Sequence, residues 1–94
     1  MKVQNMTSNK GNKIANQFII KDDHNVEYFQ SYDSIIVRRI TKPLHTIIQL
    51  DENFWDYSVT TAKYRNIFLN ETKKETQKKI NLGIYELQDL NDRG

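Results

Sequence analysis

The stretch Asp51–Leu69, DENFWDYSVTTAKYRNIFL, is where the chain changes character. It holds the only tryptophan, four of the nine other aromatic residues, three hydroxyl side chains and the cation pair Lys63/Arg65. Ser58, or Asp56 just before it, reads as the N-cap of a helix running to about Leu69. Within that helix Thr60, Tyr64 and Ile67/Phe68 fall at helical spacing, while Lys63, Arg65 and Asn66 point elsewhere. Thr72-Lys-Lys-Glu75 then matches a capping box, in which the threonine accepts from the Glu75 amide and the glutamate reaches back. A second, shorter helix follows through Leu82, stopped by Gly83 where a left-handed residue is needed. Ile80 is its main apolar anchor, and Lys73, Lys74, Lys78 and Lys79 point outward.

N-terminal to this stretch the pattern is that of strands. Ile14–Ile20 ends in FII and meets the turn-rich KDDHN at 21–25, and Val26–Gln30 pairs back as a hairpin. Ser31–Ile40 is rich in β-branched residues. Lys42-Pro43-Leu44-His45 is a turn, because proline cannot donate to a ladder, and Thr46–Leu50 is a fourth strand. Ile84–Leu90 reads as a last strand. The expected fold is α+β: a four-stranded antiparallel meander, two short helices on one face and a final C-terminal strand, in the order ββββααβ. Met1–Lys13 is polar and without periodicity, and reads as a flexible arm ahead of a single domain over 14–94.

Composition narrows the chemistry. Ninety-four residues make one domain, and a 37% hydrophobic content supports only a small core, so dimerisation or docking on a partner would add stability. There is no cysteine, which removes disulfide, thiolate and cysteine–zinc chemistry and fits a reducing cytosol. The N-terminal MKVQNMTSNKGNK has charge but no apolar run behind it. No segment approaches the ~20 apolar residues of a spanning helix, so the expectation is a soluble cytoplasmic protein away from membranes. His24 and His45 sit in turns without partners at ligand spacing, and Asp22/Asp23 and Asp51/Glu52 read as turn formers. No glycine-rich phosphate loop and no nucleophile–base pair is legible. The reading is of a protein that is not an enzyme and uses no metal or cofactor.

The charge is +2 overall but unevenly spread. Residues 1–20 carry three cations and no acid, and 59–81 carry six cations against Glu71 and Glu75. Acidic residues gather at Asp51, Glu52 and Asp56, and again at Glu86, Asp89 and Asp92. Such patches steer toward an anionic or mixed partner; equally, they are ordinary solvated surface.

Three constellations are candidate binding features. Strand alternation puts Tyr28, Gln30 and Tyr32 on one face, with Phe29 and Ser31 on the other; the tyrosines either stack on bases or anchor a protein interface, or lie beneath a helix. Arg38, Arg39 and Lys42 form a weak basic cluster, since consecutive arginines in a strand face opposite sides. The helix start with Asp56, Ser58, Thr60 and Thr61, followed by Lys63, Tyr64 and Arg65, suits an anion clamp. The alternative there is a cap and a structural network, with Trp55 in the core and Arg65 paired to Asp56.

With these residues in view, the chain resembles a small domain of unknown function common in bacteriophages and mobile elements. The shared pattern runs Ala15-Asn16-Gln17-Phe18, then Tyr28-Phe29-Gln30-Ser31-Tyr32-x-Ser34-x-Ile36 and Leu50-Asp51. It continues Trp55-Asp56-Tyr57-Ser58 and Thr60-Thr61-x-Lys63-Tyr64-Arg65-Asn66-x-Phe68-Leu69, and closes with Gly83-x-Tyr85-x-Leu87-x-Asp89-Leu90-Asn91. It covers about residues 14–91 and departs at Asn70, where glycine is usual, and in the turn Lys42-Pro43-Leu44-His45. The resemblance implies a viral or mobile-element origin, hence the cytoplasm of an infected or element-bearing bacterium, and supplies no activity. By analogy with small phage proteins, the expectation is a non-catalytic inhibitor docking on a host defence or nucleic-acid-handling protein or nucleoprotein complex, in the manner of anti-CRISPR proteins. The alternatives are a nucleic-acid-binding accessory protein of phage DNA metabolism using Tyr28, Tyr32, Lys63 and Arg65, and a protein sequestering an anionic nucleotide at the Ser58 helix start. On the first reading Lys63→Ala and Arg65→Ala spare the fold and weaken binding.

Overall fold

The computed structural model describes residues 1–91; Asp92 of the C-terminal acidic group lies outside them. Five strands come first: β1 (Lys2–Thr7), β2 (Lys13–Lys21), β3 (Val26–Ser31), β4 (Ser34–Thr41) and β5 (Thr46–Asp51). Helices α1 (Val59–Leu69) and α2 (Lys73–Asn81) follow, and the short β6 (Glu86–Gln88) ends the fold. They build one six-stranded sheet in sequential order. Each neighbouring pair from β1 to β5 is antiparallel, whereas β6 lies parallel to β5.

This corrects the four-stranded meander in ββββααβ order: the sheet has six strands and is mixed. The first additional strand, β1, lies within the 1–13 segment read as an arm. Its sequence KVQNMT buries only Met6, so it carries no apolar alternation for a pattern reading to find. Its place in the sheet comes from pairing with β2, from Lys2 opposite Lys21 to Asn5 opposite Phe18. The second difference is direction. A parallel neighbour needs a long crossover, and the loop after β5 with both helices supplies it.

Turn chemistry sets the hairpins. Between β2 and β3, Asp22 Oδ1 accepts from the His24 and Val26 amides at 2.7 and 3.2 Å, and Asn25 takes a left-handed φ of 63°. Between β3 and β4 the turn Tyr32-Asp33 places Tyr32 at φ 58°, costly for an aromatic residue; its amide donates to the Asn16 carbonyl at 2.7 Å. A bulge follows. Phe29 pairs with Val37 and Gln30 with Ile35, so Ile36 is the extra residue, and Ile36 and Val37 are both fully buried.

The row Ile19–Phe29–Val37–Leu50 faces the helices, with Phe68 of α1 stacked on Phe29 at 5.9 Å between ring centroids. Arg39 belongs to the same face. It donates to Glu27 Oε1 from Nε and Nη2 at 3.2 and 3.1 Å and to the Phe68 carbonyl from Nη1 at 3.2 Å. Its guanidinium also lies 4.2 Å from the Phe68 ring centroid, so it closes the C-terminal end of α1 where a cation is favoured.

Where β5 ends, Asp51 is fully buried and its carboxylate is saturated by backbone amides. Oδ2 accepts from Asn53 and Phe54 at 3.1 and 2.9 Å, and Oδ1 accepts from Leu90 beyond β6 at 2.8 Å. One side chain thereby shapes the loop leaving the sheet and fixes the segment that returns to it. Asp51→Asn, which turns an NH2 toward backbone donors, is expected to lower the unfolding free energy by about 2–3 kcal/mol. Glu52→Gln, at an exposed site, should stay within about 0.5 kcal/mol; urea denaturation checks both.

Candidate functional site

Ser58 caps α1. It has extended backbone geometry, and its Oγ accepts from the Thr61 amide at 3.1 Å. Asn70 ends the helix in a left-handed conformation, φ 55° and ψ 50°, with its N–H turned back to Asn66 and Ile67. The buried stripe of α1 is Thr61, Arg65 and Phe68, spaced i, i+4, i+7. Thr61 Oγ1 and Ser31 Oγ of β3 are 2.8 Å apart, which ties helix to sheet through a polar contact inside the core.

Arg65 is 0% exposed. Its Nη1 donates to the Trp55 carbonyl and to Asp56 Oδ1, the latter at 3.3 Å, and its Nη2 donates to Asn66 Oδ1 at 3.0 Å. The guanidinium lies 5.1 Å from the Trp55 ring. Asp56 also holds Lys73 of α2 at 2.7 Å, so one carboxylate joins the starts of both helices. Of the two readings of this site, a clamp with Arg65 free and a structural network with Arg65 paired to Asp56, the geometry matches the second: the guanidinium is interior and holds the loop before α1.

The ten residues singled out from sequence fall into four places. Ser58, Thr61, Arg65 and Asp56 form the cap and ionic network, with Tyr64 half-buried against the core. Thr60 and Lys63 are exposed on the outer side of α1, Lys63 lying over the Tyr64 ring at 5.4 Å. Tyr28 and Gln30 lie on the sheet face opposite the helices. Tyr32 is in the hairpin turn, where its carbonyl accepts from Gln30 Nε2 at 2.8 Å. The set Tyr28, Tyr32, Lys63 and Arg65 is thus not assembled into one surface. Arg39 and Arg38 do diverge: Arg39 goes to the helix side, while Arg38 bonds Gln49 across β5 at 2.6 Å.

An open groove runs beside the helix starts. A cleft of about 660 Å³ is lined by Asp56, Tyr57, Ser58, Ala62, Asn66 and Lys73, among others. The stripe Val59–Lys63–Ile67 flanks it, with Val59 89% and Ile67 56% exposed. On α2, Lys74 and Lys78 are exposed and engage no carboxylate among the described residues. The surface is mixed in charge at the cleft and basic beyond it.

A second ionic cluster has no counterpart in the sequence reading. Glu71, between the helices, accepts at Oε1 from Lys79 Nζ and the Tyr85 hydroxyl, both at 2.7 Å, and at Oε2 from Thr76 Oγ1 at 2.6 Å. Its side chain is almost wholly buried. The capping box at Thr72 and Glu75 is legible, but nothing local announces that Tyr85 returns to Glu71. Among the described residues no cluster of three or more metal-ligating side chains forms, and no helix is long and apolar enough to cross a membrane.

Burial pushes the Asp56 carboxyl up, but the hydrogen bonds and charges of Lys73 and Arg65 outweigh it and leave it below the usual carboxylate range. Burial likewise opposes the hydrogen bonds from Lys79, Thr76 and Tyr85 at Glu71, with the same net lowering. Both folded pKa values are depressed, so their stabilisation is complete above the ordinary carboxylate pKa of about 4 and lost as pH falls through the folded values. A thermal scan across pH is expected to hold level near neutrality and fall below about pH 4. Glu71→Gln should lower the plateau and flatten the fall.

A family model for DUF8033, a family of unknown function, matches residues 1–83. No curated protein and no solved structure matches the chain. The match takes in β1 to β5 and both helices, so the Asp51–Leu69 loop and helix belong to the shared part, and the chain is a member of DUF8033, a family of unknown function.

Proposed function

We propose that this is a non-catalytic binding protein of phage or mobile-element origin, acting in the bacterial cytoplasm by docking its helical layer on a host protein or nucleoprotein complex. The observation that carries the reading is the division of labour among charges on that layer. Arg65, Asp56, Lys73, Glu71 and Lys79 are taken up by one another in ionic contacts. Lys63 is left outward on α1 with the exposed Tyr57, Val59 and Ile67 on or just before that helix, and Lys74 and Lys78 are left outward on α2. Cations mixed with exposed aliphatic and tyrosine side chains suit a protein surface with acidic groups around an apolar centre. The phage origin rests on the sequence resemblance, and an inhibitor of host defence is the most concrete form of such a docking protein.

The same three lysines favour nucleic acid as the second reading, through phosphate contacts. A nucleotide-sequestering role draws less from the geometry. At the Ser58 helix start the hydroxyl is already occupied by Thr61, Arg65 is turned inward, and the carboxylate of Asp56 lines the cleft.

Affinity capture from host lysate with nuclease separates the two leading readings. The docking reading predicts a stoichiometric protein that survives nuclease and is lost by at least about tenfold with Lys74→Glu/Lys78→Glu, and again with Val59→Asp, each about 1.4 kcal/mol or more. Capture that vanishes with nuclease and weakens steeply with salt moves the assignment to nucleic acid. Undiminished capture by both variants rules out the helical layer.

A further inference from the structure

We infer that the sheet face turned away from the helices is the seat of a second copy of this chain, the two sheets packing face to face. In the register rows, Phe18 lies opposite Gln30, Ile20 opposite Tyr28, and Val26 opposite Ile40, itself opposite Ile47. All these side chains are on the side opposite Phe29, and all are half-buried. Antiparallel sheets that face water on one side normally alternate to polar residues there. Here the outward positions of β2 to β5 are mostly aliphatic or aromatic, and Val3 of β1, opposite Ile20, is 64% exposed.

Charge complementarity selects the occupant. In the three rows that carry these residues the only charged side chains are Arg38 and Glu86, on either side of Gln49. Arg38 Nε donates to Gln49 Oε1 at 2.6 Å, and Gln49 Nε2 donates to Glu86 Oε1 at 3.2 Å. The Arg38 terminal nitrogens and the second Glu86 oxygen make no bond within the described residues. A partner of a single charge would neutralise one of these groups and bury the other unpaired, which is costly. A two-fold axis through the neighbourhood of Gln49 sets Arg38 of each copy over Glu86 of the other, as a self-complementary interface requires. The size also fits. Six strands about 4.8 Å apart and about 20 Å long present roughly 600 Å² in projection, close to the ~800 Å² per partner of a standard interface. The dimer would be two sheets about 10 Å apart with the helical layers outermost, so the proposed docking surface stays free and the two inferences stand or fall separately.

Analytical ultracentrifugation of the full chain tests this. The intact protein is expected at twice the 11.2 kDa chain mass. Arg38→Glu and Glu86→Arg should each raise the dimer dissociation constant at least about tenfold, and the double variant Arg38→Glu/Glu86→Arg should restore it, with circular dichroism unchanged throughout. Ile20→Lys should abolish association. A wild-type chain that stays monomeric at about 100 µM, about 5.5 kcal/mol of association or less, overturns the inference. So does a dimer indifferent to Ile20→Lys and to the single charge reversals, and so does a charge swap that fails to rescue.

Discussion

A guanidinium sealed inside a domain this small dictates much of what surrounds it. Removing an arginine from water costs several kcal/mol even after relaxation, so Arg65 is tolerated only where acceptors converge on it. They come from the residues just before α1, the Trp55 carbonyl and Asp56, and from the neighbouring Asn66. Its Nε is buried without an acceptor among the described residues, which makes the other contacts more necessary. To supply them the loop after β5 must fold against α1 and carry the Trp55 ring over the cation. Asp56 then reaches Lys73 and sets the start of α2 against the start of α1.

Seen this way, the excursion from β5 to β6 is fastened at three carboxylates, each placed where the chain changes direction. Asp51 gathers backbone amides at the exit from the sheet and at the return. Asp56 links the loop to both helices. Glu71 binds Thr76, Lys79 and Tyr85, closing the turn between helices onto the approach to β6. Each is engaged by hydrogen bonds from hydroxyls, amides or cations, so charge in this region serves architecture first. On the proposed reading, recognition falls to what the network leaves outside: the lysines and bare aliphatic residues of the helical layer, and the aliphatic back of the sheet.

Local signals were readable where the physics is local. Ser58 as N-cap, the Thr72/Glu75 capping box and the left-handed Gly83 (φ 75°) all stand where short-range hydrogen bonding requires them. The strand not legible, β1, and the direction of the last strand, β6, are long-range matters. β1 is polar and is a strand because β2 offers it an edge, and β6 is three residues long, paired in a direction no local pattern encodes. Of the two readings the sequence allows at the helix start, the geometry matches the structural network, with Arg65 paired to Asp56. Lys63 and Arg65 are two residues apart on α1 and so point to opposite sides, but residue type alone assigns both to solvent. The deciding signal was the Thr61–Arg65–Phe68 spacing, which places arginine in a stripe ending on the core phenylalanine; reading Thr60 and Tyr64 as the inner face concealed it. Gln17, fully buried beside Ser31 with neither side-chain polar atom bonded among the described residues, has no sequence signal and no structural explanation.

Equilibrium unfolding of Arg65→Ala beside Lys63→Ala shows whether the tryptophan–arginine motif is scaffold. As scaffold, Arg65 is expected to cost about 3 kcal/mol or more of stability on Arg65→Ala, from a broken buried pair, while the exposed Lys63→Ala changes stability by no more than about 0.5 kcal/mol. An Arg65→Ala chain as stable as wild type would contradict that role, because the guanidinium would then be dispensable to the fold.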